Sequence, residues 1–194
     1  NLRLKCKFGK FKPGLVLIGS HVKLADDQLM VLLKDKRCSP IEVPVAKIAK
    51  AFYSPLSHIG LLEVEICLLQ KIDNSFKSNS TPVLFTSRGE IRFSSDNERL
   101  QFGIYLSEFM ASLVGKVSRN LGYIISKGGV TTHSLLSKGL GMSWVRVKGQ
   151  IAPGLSLVCC EGTNNSLPVI TFPGNLGEEN TLLEAWMTME QFNI

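Results

Sequence analysis

The chain has 194 residues, 44% of them hydrophobic, which is enough to bury a sizeable core and excludes wholesale disorder. It carries a net charge of +6, and much of the excess comes from Arg3, Lys5, Lys7, Lys10 and Lys12 in a basic arm over residues 1–13. No ribonucleoprotein or zinc-finger pattern accompanies that arm and no apolar run reaches the roughly 20 residues of a membrane helix, so neither nucleic acid nor membrane is expected as a partner. A mildly basic protein also suits an anionic small molecule.

The first residue is Asn1, and the opening does not read as a signal peptide, so the chain reads as a fragment or a processed form. Five cysteines (Cys6, Cys38, Cys67, Cys159 and Cys160) form an odd set with no C-x-x-C pair. That pattern argues for reduced structural thiols, for a cytoplasmic or other reducing intracellular compartment, and against zinc.

Gly14 to Ser20 is an apolar run ending in Gly-Ser, the look of a strand buried on both faces. A helix follows over Leu24 to Lys36, with Asp26 and Asp27 in its first turn and Leu29, Leu32 and Leu33 as its stripe. Ile41 to Val45 is a second strand cut short at Pro44. Leu61 to Ile72 reads as a helix, Asp73 to Ser80 as a polar stretch, and Thr81 to Ser87 as a third strand. Ser95 to Glu98 is a capping box opening a long helix, with a stripe of Phe102, Leu106, Phe109, Met110, Leu113, Val114 and Val117.

Tyr123 to Ile125 is aromatic and β-branched, and suits a central strand. Gly128 and Gly129 then let the backbone turn sharply and approach a ligand, and Thr131 or Thr132 can cap the next helix. Free N–H groups there would seat an anion such as phosphate, although an ordinary strand-to-helix turn has the same composition. The short helix runs over Thr132 to Ser137 and stops at Gly139. Trp144 to Val147 alternates, Leu155 to Cys159 is apolar, and Pro168 to Phe172 is β-rich, so short antiparallel strands are expected. Thr181 to Gln191 closes the chain as a helix with Leu182, Leu183, Trp186 and Met189 facing inward.

The predicted fold is α/β: three layers, α/β/α, with a mixed sheet that becomes β-rich toward the C-terminus. Three loops with small polar residues leave strands: Gly19-Ser20-His21, Gly128 to Thr132, and Pro173 to Gly177. Ligands of open α/β sheets sit beyond the carboxyl ends of the strands, so a nucleotide or sugar-phosphate site is plausible there. His21, His58 and His133 show no metal spacing, and His133 reads as a partly buried structural residue. Glu178, Glu179 and Glu184 could hold magnesium, but acidic residues favour a first helical turn in any case. The nucleophile elbow, the Walker A loop and the dinucleotide G-x-G-x-x-G are all absent.

Four motifs come in a fixed order: Ser126-Lys127-Gly128-Gly129-Val130-Thr131-Thr132, Lys138-Gly139-Leu140-Gly141, Val147 to Gly154, and Phe172-Pro173-Gly174-Asn175-Leu176-Gly177. Together with Val16 to Val22 and Gln28-Leu29, they resemble the C-terminal nucleotide-binding domain of the four-carbon acid sugar kinases. The resemblance implies that residues 1–194 are the nucleotide-binding domain of such a kinase, with the domain that binds the sugar acid absent from this chain. It implies ATP and Mg2+ as cofactors and threonate or erythronate as the kind of acceptor. Ser20 would touch the nucleotide, Gly128, Gly129, Val130 and Thr131 would form the phosphate loop, and Gly174 and Asn175 would close the far side. The sequence departs from the family's usual residues at Ala25, Val130 and His133. Catalytic residues and metal ligands are left unassigned. The alternative is a non-catalytic binding or regulatory module of the same fold inside a larger multidomain protein.

Overall fold

The structure is a computed structural model and describes residues 11–54, 58–89, 91–159 and 167–190. Seven strands form one mixed sheet: β1 (Gly14–Ile18), β2 (Cys38–Val43), β3 (Thr81–Thr86), β4 (Tyr123–Lys127), β5 (Arg146–Ala152), β6 (Leu155–Cys159) and β7 (Pro168–Phe172). Their order is β2-β3-β1-β4-β7-β6-β5. The pairs β2/β3, β1/β3, β1/β4 and β4/β7 are parallel, whereas β6/β7 and β5/β6 are antiparallel. The predicted mixed sheet with its β-rich end is therefore the observed one.

The helices are α1 (Lys23–Leu32), α2 (Val45–Tyr53), α3 (His58–Lys77), α4 (Asp96–Val117), α5 (Gly129–Ser134) and α6 (Thr181–Glu190). Alternation of inward positions along the parallel strands divides the core in two. Leu15 and Leu17 of β1, Ile41, Leu84 and Ile124 pack with α2, α3 and α4. Val16 and Ile18, with Val83, Ile125 and Ile170, pack with α1 and α6 on the other face. Leu15 to Ile18 are wholly buried, each side chain worth about 1.5–3 kcal/mol of transfer free energy. Trp186 of α6 is sealed in, its Nε1–H donating to Thr81 Oγ1 at 3.1 Å.

Several expectations are corrected. The helix α2 begins directly after Pro44, which ends β2 and serves as the N-cap, a position that needs no backbone N–H. The helix α3 runs on through Asp73 to Lys77, because Ile72 and Ser75 are buried against the sheet and tertiary packing outweighs the polar composition. The helix α1 stops at Leu32; Lys34, Lys36 and Arg37 lie in turns, with Arg37 paired to Asp35 at 2.6 Å. The edge strand β5 does not alternate, and Arg146 to Gln150 are all exposed. The capping box at Ser95 is real: Glu98 N–H donates to Ser95 Oγ, and the Glu98 carboxylate accepts from Ser94 N–H.

The helix α5 begins at Gly129, three residues before the expected start, and passes into a π turn, Leu135–Gly139, that ends at the glycine expected to stop it. Gly139 lies against α4 so closely that a Cβ on Gly115 would stand 2.3 Å from the Gly139 carbonyl oxygen. A Cβ on Gly139 would likewise stand 2.5 Å from the Ala111 oxygen. Small residues thus bring two backbones together and fix where α5 begins relative to α4. The arm at residues 1–10 and the cysteines Cys6 and Cys160 lie outside the described residues. Among the described residues, Cys38 and Cys67 are free thiols, and burial pushes the Cys38 thiol up to about 12, leaving it unreactive near neutral pH.

Candidate functional site

The sheet order places β1 between β3 and β4, so the chain leaves β1 toward one side of the sheet and later returns to its other side. A cleft of about 440 Å³ opens at the carboxyl ends of these strands, within the usual range for small-molecule sites. Gly19, Ser20 and His21 after β1, Thr86 at the end of β3, Gly128 to Thr131 after β4, and Gly174 after β7 line it. The first half of α4 forms the remaining wall. Six of the seven residues expected at the site are therefore brought together: Ser20, Gly128, Gly129, Val130, Thr131 and Gly174. Asn175 is exposed and is not part of the cleft wall.

The loops touch one another. A Cβ on Gly174 would lie 2.6 Å from Ser20 Oγ, and one on Gly19 would lie 1.9 Å from Thr131 Oγ1. Gly128 has φ +116°, a backbone angle that L side chains rarely adopt, and its position beside Ser20 N and Thr131 Oγ1 leaves little room. Gly129 differs, because a Cβ built there meets nothing within 4 Å and would project into open space. The conformational requirement thus falls on Gly128, and the open approach on Gly129.

Neither threonine caps α5. Gly128 is the N-cap and no side chain bonds back to the first turn. Thr132 Oγ1 instead donates into β4, 3.1 Å from Ser126 O and 2.9 Å from Ser126 Oγ, which ties the turn to its strand. Thr131 is buried against Gly19. The first intrahelical bond is Thr132 N–H to Gly128 O, so the N–H groups of Gly129, Val130 and Thr131 precede it. Val130 is 54% exposed at the cleft mouth.

Asp26 and Asp27 would repel a phosphate near Ser20 if they stood free, but each has a cation. Asp26 pairs with Arg88, and Asp27 with Lys23 at 2.9 Å. Arg88 was not legible in the sequence: it follows β3, and only the sheet order sets it beside β1. Its guanidinium donates to Thr86 Oγ1 at 3.1 Å and to Ser20 O at 3.3 Å, and so joins the ends of the two strands. His21 Nε2 lies 2.9 Å from the same Thr86 hydroxyl. Desolvation, and then the charge of Arg88, lower the His21 pKa, with Asp26 opposing, so the ring favours its neutral form. His133 is exposed and off the cleft, which corrects the buried reading.

The last loop is anchored from below. Gln28, fully buried on α1, donates through its amide nitrogen to Leu176 O at 3.0 Å and Glu178 O at 2.6 Å. Lys127 is also fully buried, its Nζ donating to Pro173 O at 3.1 Å and standing 3.8 Å from the centre of the Phe172 ring. Burial lowers its pKa to about 8. Glu178, Glu179 and Glu184 are exposed and away from the cleft; only Glu184 lies in the first turn of α6, and Glu178 and Glu179 precede the helix. Among the described residues no cluster of three or more His, Cys, Asp or Glu could hold a metal ion, and no helix is long and apolar enough to cross a membrane.

The sequence model of the nucleotide-binding C-terminal domain family matches residues 15–182. The chain belongs to this family. Its ordered motifs resemble the C-terminal domain of the four-carbon acid sugar kinases, in line with a nucleotide-binding C-terminal domain. Solved structures share the fold. A protein of the DUF1537 family from Bordetella bronchiseptica, a domain-swapped dimer with bound citrate, superposes with TM-score 0.72 at 18% identity over 94% of this chain and 42% of its own. A Salmonella typhimurium protein described as a putative tRNA synthase gives 0.68 at 20% identity, over 92% and 41%. A Haemophilus influenzae DUF1537 protein gives 0.65 at 18%, over 92% and 42%. The nucleotide-binding domain thus spans about two fifths of these structures. No curated protein matches the chain.

Proposed function

We propose that the cleft binds ATP, and that the domain is the nucleotide-binding half of a kinase acting on four-carbon sugar acids such as threonate or erythronate. The observation that carries this reading is the convergence of three glycine-bearing loops on one cleft, with Gly129 leaving open the space a Cβ would fill. A phosphate chain needs close backbone approach and N–H donors, and the turn supplies both. ATP brings the transferable phosphoryl group. Transfer needs positioning and charge neutralisation rather than covalent chemistry from the protein.

Within that scheme, backbone N–H groups of Gly129, Val130 and Thr131 hold phosphate oxygens, and Ser20 and Gly174 close the opposite side. Arg88 neutralises Asp26, so that anions approach Ser20 without repulsion. Mg2+ fits as an ion carried by the phosphates and water. Asp96 is the acidic side chain on the cleft wall among the described residues, and one carboxylate with substrate phosphates is a usual magnesium environment. The acceptor and the base that deprotonates it belong to a sugar-acid domain outside this chain. The citrate in the Bordetella protein is a hydroxy-acid anion, as threonate and erythronate are.

A specific observation favours the second reading, a binding or regulatory module without turnover: Asp96, the acidic side chain on the cleft wall, is exposed and already paired with Arg99 at 3.2 Å. Titration calorimetry with ATP and Mg2+ tests binding, with saturable one-to-one binding expected. Threonate and erythronate phosphorylation by a longer chain that includes the acid-binding domain separates the two readings, and the 194-residue chain alone should show no turnover. An absence of ATP binding would overturn both.

A further inference from the structure

The helix α4 has a second apolar face that the core does not use. Its buried stripe, Phe102, Leu106, Met110, Leu113 and Val114, packs on the sheet. Leu100 and Ile104 point elsewhere and remain 58% and 36% exposed. Gly103 lies between them, three residues after Leu100 and one before Ile104, so the three share one patch with Ser107 a turn later. Glycine is disfavoured inside a helix, yet here it sits mid-helix with nothing within 4 Å of its would-be Cβ. The result is a flat notch floored by helix backbone and flanked by two aliphatic side chains.

The notch belongs to the same cleft as the glycine turn: Leu100, Gly103, Ile104 and Ser107 line it with Gly128 to Thr131. A ligand occupying the whole cleft must therefore present anionic oxygens at one wall and a flat, largely apolar group at the other. Asp96, one turn before Leu100 on α4, and Arg99, directly before it, supply polar groups at the rim. We infer that the Leu100–Gly103–Ile104 notch of α4 seats the purine base of the bound nucleotide, held by shape and apolar contact rather than by a dedicated hydrogen-bond code. This inference rests on the ATP reading of the cleft. It explains a glycine and two exposed aliphatics that folding alone does not require.

The test compares two ligands on three proteins. ATP carries base and phosphates, whereas inorganic tripolyphosphate carries phosphates alone. Gly103→Leu fills the notch from a good helix former, so its melting temperature should hold or rise. Its ATP affinity should fall tenfold or more while tripolyphosphate affinity stays within about twofold. Leu100→Ser, which removes one flank at an exposed position without adding charge, should repeat this pattern more weakly. ATP binding equal to the parent in both folded variants overturns the base seat and leaves the phosphate turn standing. An equal loss of both ligands also overturns it, because the notch would then serve the cleft as a whole. A parent chain that binds neither ligand overturns the nucleotide reading and the base seat with it.

Discussion

Replacing Gly129 by valine separates folding from binding at the centre of the proposed site. Gly129 is the first residue of α5 and lacks the positive φ of its neighbour Gly128. A Cβ there meets no protein atom within 4 Å, so a side chain can be added at the cleft wall without a clash at its Cβ. Valine is a better helix former than glycine by a few tenths of a kcal/mol, about 0.5 at most. For a domain of this size, 1 kcal/mol moves the melting temperature by roughly 2–4 °C, so the change should be within about 2 °C. ATP affinity should nevertheless fall tenfold or more, at least about 1.4 kcal/mol, because valine occupies the space the phosphates need. Gly128→Ala is the opposite case. Its φ of +116° makes alanine strained by about 1–3 kcal/mol, and the melting temperature should drop visibly. Calorimetric titration with ATP, run beside thermal melts of the parent and both variants, reads the two effects apart. A folded Gly129→Val protein that binds ATP as tightly as the parent refutes the placement of phosphate at this turn.

Gly174→Ala should weaken ATP binding because its Cβ would meet Ser20 Oγ at 2.6 Å, and Ser20→Gly in the same chain should restore part of the loss; a double-mutant cycle with no coupling would show that the loops do not meet. Lys127 gives a pH signature. Its folded pKa of about 8 lies below its ordinary 10.5, so below pH 8 both states hold the proton and the cost of the buried charge is fully present. Above pH 8 the folded protein sheds that proton before the unfolded one, and stability rises with pH toward 10.5. Stability of the parent relative to Lys127→Met should accordingly rise between pH 8 and 10 in denaturant titrations, and a flat difference would contradict the burial of that amine. Trp186→Phe should cost about 2 kcal/mol, since it leaves the buried Thr81 hydroxyl without its donor and opens a void; a loss under 0.5 kcal/mol, read by urea unfolding, would contradict that packing.

Much of the fold was legible because its strongest signals are local. Leu15 to Ile18 and Tyr123 to Ile125 are runs that fit only buried strands, and the box at Ser95 marks the start of α4 to the residue. What the sequence hid depends on tertiary contact. The length of α3 follows from Ile72 and Ser75 being buried on the sheet, and the π turn from Gly139 meeting Ala111 and Gly115. Exposure of β5 follows from its place at the edge. Six residues of the cleft lining were legible because glycine-bearing loops after strands of a parallel sheet gather at one end. Arg88 and the Leu100–Gly103–Ile104 face were not, because nothing local distinguishes an arginine that crosses between strands, or aliphatics turned toward a cleft instead of the core. Asn175 shared a motif with Gly174, but the turn directs it to solvent.

A crystal structure of the chain with a non-hydrolysable ATP analogue and Mg2+ tests the central claim most directly. The account predicts phosphate oxygens within hydrogen-bonding distance of the Gly129, Val130 and Thr131 N–H groups, with Ser20 and Gly174 on the opposite side. An analogue bound with its phosphates away from that turn, in a cleft otherwise unchanged, would contradict it.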